Sequence, residues 1–282
     1  MYWIRDVEVL AGQKKFESLG DNALEIEFDI PFSDKEEPDV SEITIYNLSD
    51  DTIAEIKRDG YIFVNAGYKE LNNKGNILTG EIEDIETTWS GLDKLTKIKV
   101  SDGGKKWRTV KVNNTYQNDS KASYIMRDLC NILGYEIVAI EPKEDITYPL
   151  GKTVKGLAST ALSQIVKDTK SKMFINKDRI VIRDEQIGYE TGFVLNSDSG
   201  LVGIPTLNKD ESGDKTDTKE SEKEKKENKE TKQSWKVTSL LNPRLETDSV
   251  IRVESKNLNG TFRVKSGKHT KDFNTELEVE EI

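Results

Sequence analysis

Residues 235–282 carry the pattern that most narrows what this chain can fold into, because they consist of short runs in which apolar and polar residues alternate. Alternation places Ile251 and Val253 on one face of a strand and Arg252 on the other. The runs are separated by the turn-forming pairs Asn242-Pro243, Asn259-Gly260 and Ser266-Gly267. Since Asn-Gly supplies the positive φ values of a tight hairpin, we expect one unbroken antiparallel meander with an apolar face and a solvated face.

The length and composition of the chain indicate a strongly hydrated protein of more than one domain. Its 282 residues exceed the usual length of about 100 to 200 residues for one domain. The net charge is −10, and the sequence has no run of about 18 apolar residues that would span a bilayer. Because the first residues lack the apolar segment and cleavage site of a secretory signal peptide, we expect the chain to stay where it is made.

The charge balance and the cysteine content argue against several partners and chemistries. Duplex binding is driven by Lys and Arg side chains that release counterions from phosphates, so this acidic chain is not expected to attract nucleic acid. An acidic surface would instead let DNA pass without sticking. Cys130 is the only cysteine and lies in an apolar helical run, which favours a core thiol in a reducing compartment over a disulfide or a reactive nucleophile.

Residues 1–104 are predicted to form a first β domain that contains one short helix. The alternating run around Phe28 predicts a half-buried strand that ends at Pro31, followed by its partner strand. Ser49 is a suitable helix N-cap and Gly60 a stop signal, so we expect a helix between them. Three further strands are predicted at residues 61–68, 75–89 and 94–103.

Residues 105–187 are predicted to form a small α+β domain. Apolar residues recur at helical spacing before Gly134, which indicates a buried amphipathic helix with a glycine stop. A second helix of the same kind is predicted within residues 153–170, and a tight hairpin is predicted around Lys177. Two helices against short strands form a compact module between two β-rich parts.

Residues 188–282 are predicted to form a second β domain, which a charged loop at residues 209–234 interrupts. This loop contains no aromatic and no branched aliphatic residue, so nothing in it can be buried. The runs before and after it both have the pattern of strands, and we therefore place the loop between two strands of one domain. A single charged helix over residues 218–232 is the alternative, since Glu and Lys recur there at four-residue spacing.

A search for catalytic and metal-binding residues gives no candidate site. His269 is the only histidine, and neither a second histidine nor a second cysteine exists for a zinc or Cys-His site. Its position between the C-terminal strands favours a surface loop histidine, with an interface contact as the alternative. Residues 151–156 place glycines around a Lys-Thr pair but lack the spacing of a phosphate-binding loop, so a turn into a helix is the better interpretation.

The acidic and aromatic residues do not indicate an active site either. Glu81, Glu83 and Ile85 are expected on one face of a strand, with Ile82 and Asp84 on the other, so several of these carboxylates must face solvent or another subunit. A sugar cleft would need paired carboxylates lined by aromatic side chains. The four tryptophans are expected singly at strand edges: Trp3, Trp89, Trp107 and Trp235. The sequence thus predicts no catalytic residue, no cofactor and no metal, and we expect a protein that is not an enzyme.

Two sequence blocks resemble the baseplate hub proteins of contractile phage tails and phage-tail-like bacteriocins. The stronger block is LLNPRLETDSVIRVESKNLNGTFRVKSGKHTKDF near the C-terminus. The second is the order IYNLS, helix, AGY and TGEI in the first hundred residues. The resemblance covers nearly the whole chain apart from the charged loop, and its middle part is the weakest.

The resemblance implies a mainly β fold in which two tail-tube-like antiparallel β-barrel or sandwich domains flank a small α+β domain. It implies a structural role in a trimeric ring that adapts the sixfold tail tube to the threefold central spike. The implied partners are the tail tube protein, the central spike, other baseplate proteins and the end of the tape measure protein. The implied location is the baseplate of a virion or tail-like particle assembled in the host cytoplasm. Some hubs carry a fused cell-wall hydrolase, and this sequence ends without one.

A cell-wall or glycan-binding β module without catalytic activity is the alternative function. The charged loop would then act as a spacer between β domains that recognise sugars. The missing signal peptide and the scattered aromatic residues argue against this alternative, because sugar binding usually relies on clustered aromatic rings.

Deleting residues 210–232 should leave the rest of the protein stably folded, because the segment offers no apolar group for burial. We expect the midpoint of thermal unfolding to change by no more than a few degrees, as measured by circular dichroism. Unfolding of the C-terminal β domain after this deletion would contradict the placement of the loop.

Overall fold

A computed structural model of the protein describes residues 4–208 and 233–282. The predicted mainly β fold with a small α+β part is confirmed. Buried apolar side chains form three clusters, centred on the first β part, the α+β part and the second β part of the chain. The charged segment at residues 209–232, with its alternative reading as a helix, lies outside the described residues. The domain boundaries at 104/105 and 187/188 remain predictions.

The first β unit contains seven strands and one short helix; five of the strands and the helix follow the predicted order, while β1 and β2 were not predicted. Its elements are β1 (Arg5–Ala11), β2 (Lys14–Glu17), β3 (Ile26–Ser33), β4 (Val40–Tyr46), α1 (Asp50–Glu55), β5 (Tyr61–Tyr68), β6 (Gly75–Ser90) and β7 (Asp93–Ser101). The strands are antiparallel and lie side by side in the order β3-β4-β7-β6-β5-β1-β2. Their inward-facing residues, such as Ile43 and Ile98, are fully buried and form the first core.

The middle module packs three helices against short strands. Its elements are α2 (Gly104–Thr109), β8 (Lys111–Tyr116), β9 (Ser120–Lys121), α3 (Ala122–Leu133), β10 (Glu136–Glu141), β11 (Thr147–Tyr148), β12 (Lys152–Leu157), α4 (Ala158–Asp168), β13 (Lys172–Asn176) and β14 (Arg179–Arg183). The predicted faces of α3 and α4 are buried against each other. Gly134 adopts a left-handed φ of 76° and ends α3 as predicted. The predicted hairpin at Lys177 joins β13 to β14.

The second β unit has six strands, of which β15 is parallel to its neighbour. The strands are β15 (Tyr189–Leu195), β16 (Leu201–Asn208), β17 (Ser234–Leu240), β18 (Ser249–Glu254), β19 (Asn259–Thr270) and β20 (Asn274–Glu281). They lie in the order β16-β17-β20-β19-β18-β15, and only the β15–β18 pair is parallel. Asn208 pairs with Ser234, so residues 209–233 connect two adjacent strands of one unit. Ser234, which the sequence placed in the charged loop, is the first residue of β17.

The prediction of one unbroken meander over residues 235–282 is wrong. β18, β19 and β20 form consecutive hairpins, but β17 pairs with β20 rather than with β18. This order is a Greek key. The segment between β17 and β18 is packed into the protein instead of forming a tight turn, since Leu241 and Leu245 are both buried.

Two of the predicted turns lie inside a strand. The turn between β18 and β19 precedes Asn259-Gly260, because Ser255 N–H donates to the Leu258 carbonyl (2.9 Å) and its hydroxyl accepts from Leu258 N–H (3.0 Å). Ser266-Gly267 lies within β19, where glycine is needed for space. A Cβ atom on Gly267 would lie 2.5 Å from the Phe32 ring.

Four local predictions in the first unit and the middle module also need correction. α1 has its Ser49 cap but ends at Glu55, because Ile56 turns into the core instead of continuing to Gly60. β3 continues past Pro31 to Ser33. A bulge between Ile82 and Asp84 shifts the register of β6, so Ile85 lies on the same face as Ile82. Residues 152–157 form strand β12 because Val154 is buried in the core of the middle module.

The two β units share one arrangement of strands. The spatial order of the strands in the first unit is β3-β4-β7-β6-β5-β1. The corresponding order in the second unit is β16-β17-β20-β19-β18-β15. The chain order of the corresponding strands is the same as well. The units differ in the extra strand β2 and in the direction of β15, which is parallel to β18.

A direct strand pair joins the two units into one 13-stranded sheet. The second half of β19 pairs antiparallel with the second half of β3, from Ser266 opposite Ser33 to Thr270 opposite Asp29. His269 lies opposite Ile30 in this pair. A backbone ladder therefore joins the first β unit directly to the second.

The prediction of a surface histidine at position 269 is wrong. His269 is only 1% exposed, its Nδ1 lies 3.0 Å from the Thr275 hydroxyl, and its ring is 5.0 Å from that of Phe32. The hydrophilic residues around it suggested a loop, but they alternate along β19. Burial lowers the pKa of His269 to about 3, so the imidazole is neutral in the folded protein.

Neutral burial of His269 should make the protein less stable as the pH falls from 6.5 towards 3. In the unfolded chain His269 binds a proton with the ordinary pKa of 6.5, whereas in the folded chain its pKa is about 3. At pH 5 this linkage should cost about 2 kcal/mol relative to pH 7.5. Urea unfolding of the wild-type protein and of His269→Asn at both pH values measures it. Parallel pH profiles for the two proteins would contradict the assignment.

Candidate functional site

The residues considered for chemistry are distributed over the fold rather than gathered in one place. Cys130 is fully buried in α3, and burial raises the pKa of its thiol to about 12, so it is a core residue as predicted. Trp107 is buried in α2 and Trp235 is half-buried on the internal strand β17, which corrects their prediction as edge residues. Trp89 lies exposed near the end of β6. Trp3 is outside the described residues.

The carboxylates of β6 are engaged in ion pairs and hydrogen bonds. Glu83 pairs with Arg108 and Asp84 with Arg58. Glu81 accepts a hydrogen bond from the backbone N–H of Lys105 (3.0 Å). The contacts of Glu81 and Glu83 attach α2 to the first β unit, while that of Asp84 lies within this unit, so these three carboxylates have a structural role.

Lys177 is the side chain that brings the three parts of the protein together. It occupies the tip of the β13–β14 hairpin, where Lys177 and Asp178 both have positive φ values (54° and 60°). Its ammonium group donates to the Asn76 carbonyl of β6 (2.7 Å) and to the Glu246 carboxylate, which precedes β18. Burial lowers the pKa of Lys177, and Glu246 opposes that effect. One cation from the middle module thus binds acceptors on both β units.

Arg179 and Asp102 complete this buried contact. Arg179 donates to the second oxygen of Glu246 at 2.9 Å, so the carboxylate is shared between two cations. Asp102 accepts the backbone N–H of Lys177 at 3.2 Å. Burial raises the pKa of Asp102 to about 7, because that N–H and the nearby ammonium compensate only part of the lost hydration.

Arg263 of β19 is the centre of a second buried charge cluster at the same junction. It is 5% exposed and contacts Asp248 at 3.1 Å, Asp34 at 3.6 Å and Glu280 at 3.9 Å. The middle module contributes Arg183 to Asp248 (3.1 Å) and Lys172 to Asp34. Burial raises the pKa of Asp248, and the two arginines counteract this rise. The cluster links the end of β3, the second β unit and the middle module.

A cleft of about 570 Å³ lies beside these clusters, between the β13–β14 hairpin and the segment that leads into β18. Its polar lining includes Arg179, Arg183, Glu246 and Asp248, whose charges are already paired. The cleft therefore belongs to the packing of the middle module against the second unit.

β6 has an open edge in its second half. On one side it pairs with β7 from Glu81 to Ser90. On the other side its partner β5 ends at the Tyr61–Glu81 pair, and no strand among the residues that the structure describes pairs with residues 83–90 on that side. The hairpin tip beyond this edge carries Trp89 and Leu92, which are 71% and 95% exposed.

β16 forms another open edge, at one end of the 13-stranded sheet; β2 and β15 also have one partner strand each in the described part of the chain. It pairs with β17, and its opposite side has no partner strand within residues 4–208 and 233–282. Its exposed apolar side chains are Val202, Ile204 and Leu207, of which Ile204 is 66% exposed. Open edges and exposed apolar groups are the features from which subunit contacts are built.

Comparison with solved structures identifies the architecture along the whole chain. The 43 kDa tail protein of prophage MuSo2 from Shewanella oneidensis matches 99% of this chain and 98% of its own, with a TM-score of 0.67 and 12% identity. A tail protein from Neisseria meningitidis MC58 matches 98% of this chain and 96% of its own, with a TM-score of 0.64 and 11% identity. The chain has the fold of phage tail proteins. The sequence resemblance is thereby confirmed for the fold.

The phage tail fold also occurs in a secretion-system component. The c3393 protein of E. coli, a component of the type VI secretion system with structural similarity to the phage T4 tail proteins gp27 and gp5, matches 98% of this chain and 76% of its own. Its TM-score is 0.58 at 10% identity. No family model matches the sequence, and no curated protein matches it significantly.

The described residues contain neither a membrane-spanning helix nor a cluster of metal-binding side chains. In the described part of the chain, no helix is both long and apolar enough to cross a membrane. Among the same residues, no group of three or more His, Cys, Asp or Glu side chains could hold a metal ion.

The sequence missed the charged junction that holds this tail-protein fold together. Lys177 was recognised as a turn residue, but its partners Asn76 and Glu246 are remote in the chain. The one available signal was the basic residue at a hairpin tip between two buried strands, where a glycine would be more usual.

Replacing Lys177 by Met should destabilise the protein strongly, because Glu246 and the Asn76 carbonyl lose a buried cation. We expect a loss of about 3 kcal/mol in the free energy of unfolding, measured with urea. Lys105→Met is the matched control: its ion pair with Asp59 is solvent-exposed and should be worth less than about 1 kcal/mol. Equal losses for the two variants would contradict the role of Lys177.

Proposed function

We propose that this protein is a structural baseplate hub of a contractile phage or phage-tail-like particle. The observation that carries the proposal is the match to phage tail proteins along the whole chain, with the same strand order in both β units. Three copies would supply six similar β units. Such a ring could face a sixfold tail tube on one side and a threefold central spike on the other.

The internal joints of the chain support this proposal. A hub transmits load between tube and spike, so its two β units must keep a fixed relative position. The β3–β19 ladder and the buried clusters around Lys177 and Arg263 provide that fixed position. Its partners would be the tube protein, the spike, other baseplate proteins and the end of the tape measure, in a particle assembled in the host cytoplasm.

The acidic charge of the chain is compatible with a passage for DNA. With a net charge of −10, a ring of three copies would repel rather than bind a nucleic acid that moves through its centre. We propose a role in assembly without catalysis, in which the buried clusters of charge serve to join parts of the molecule.

Light scattering on the purified protein tests the hub assignment. The expected mass is three times the 32.0 kDa of one chain, or a defined complex of three chains after addition of the candidate spike protein. Binding to purified peptidoglycan is measured in parallel. A monomer that does not bind the spike protein but binds peptidoglycan would favour the glycan-binding alternative and overturn the hub proposal.

A further inference from the structure

The strand β19 joins the two β units because it changes its partner on one side, from β18 to β3. The first half of β19 pairs with β18, up to the Val250–Arg263 pair. A register shift between Val264 and Ser266 follows, and β18 has no partner residue beyond it. The second half of β19 then takes β3 on the side that β18 has left.

The strand β6 repeats each of these steps except the last. Its first half pairs with β5, up to the Tyr61–Glu81 pair. A register shift between Ile82 and Asp84 follows, as in β19. Beyond it the side that β5 has left stays open, among the residues that the structure describes. Since β6 corresponds to β19 in the common strand order, its open edge corresponds to the place that β3 fills.

The counterpart of β3 in the second unit is β16, and it is open too. β3 is covered by β19 on one side and pairs with β4 on the other. β16 pairs with β17 on one side, with a bulge at residues 203–205, while its remaining side has no partner strand in the described part of the chain. Its exposed apolar side chains are Val202, Ile204 and Leu207. The open edges of β6 and β16 belong to different units of the chain. The β3–β19 joint covers neither of them.

We propose that the open edge of β6 pairs antiparallel with β16 of a second copy of this chain. The contact would repeat between chains the β19–β3 joint that exists within each chain. It is head-to-tail, and such a contact closes into a ring when its rotation allows. The proposal rests on the trimeric hub proposed above: three internal joints and three joints between chains would alternate around the ring.

The residues along the edge of β6 and along the edge of β16 are compatible with this pairing between two copies of the chain. Isolated edge strands usually carry charges that block random pairing, and β6 has Glu83 and Asp84 where its edge begins. Both are held by arginines of their own chain. The edge beyond them has one more charged residue, the exposed Glu86, and then presents Thr87, Thr88 and the exposed Trp89, which are strand-forming residues. Trp89 lies within reach of the apolar side chains that β16 exposes when the strands pair.

Cysteine cross-linking tests the pairing directly. Thr87→Cys is combined in turn with Val202→Cys, Ile204→Cys and Leu207→Cys, and the purified proteins are treated with a short bismaleimide. Cys130 is buried with a raised pKa and should not react. We expect covalent dimers and trimers with at least one β16 position. Thr87→Cys with Ile187→Cys is the matched control, since Ile187 is exposed but lies outside β16.

Light scattering separates this contact from the hub itself. Ile204→Lys should reduce the trimer to monomer with unchanged thermal stability, and the control Ile187→Lys should leave the trimer intact. A wild-type trimer that gives no β6–β16 cross-link and tolerates Ile204→Lys would overturn the edge pairing and leave the hub standing. A wild-type protein that stays monomeric at every concentration, and also with the spike protein, would overturn the trimeric ring.

Discussion

The pairing of β3 with β19 is the contact on which the rest of this structure depends. It joins strands from opposite ends of the chain and turns two separate β units into one sheet. A side-chain interface could tilt or slide, but a backbone ladder fixes both distance and register. Phe32 and Ile30 also connect the cores across this joint: Phe32 of β3 packs in the core of the second unit, while Ile30 stays in the first.

The charged clusters add specificity to that joint. Buried ion pairs contribute little net stability compared with apolar packing, because both charges lose their hydration. They penalise wrong placements heavily, however, since a displaced middle module would separate Lys177 from Glu246 and would remove Arg183 from the buried Asp248. The middle module is therefore held in one position between two β units whose own cores do not require it.

Much of the local structure could be predicted from the sequence, because local signals determine it. The spacing of apolar residues and Gly134 defined α3, and the alternation around Phe28 defined the core of β3. Strand partners could not be predicted in the same way, since alternation tells which face is buried and not which strand lies beside it. His269 and Gly267 show the consequence: a hydrophilic stretch with a glycine looked like a loop until the partner strand β3 was known.

The open edges could not be predicted from the sequence for a related reason: an edge is defined by the absence of a partner strand on one side. Pro205 was the one residue of β16 that indicated an edge or a bulge, and the β6 bulge is visible only through its register with β7. The functional prediction therefore relied on the resemblance of the two sequence blocks and not on strand pairing.

The differences between the two β units matter as much as their common strand order. The six corresponding strands give both units similar sheet surfaces, whereas their connections differ: β4 leads to β5 through α1, and β17 leads to β18 through a packed segment around Leu245. In the proposed ring the sheets would repeat six times and these connections three times. A tube that contacts the sheets would then meet nearly sixfold symmetry, and a spike that contacts the connections would meet threefold symmetry. A symmetry mismatch can thus be resolved within one folded chain, with no need for a subunit to adopt two conformations.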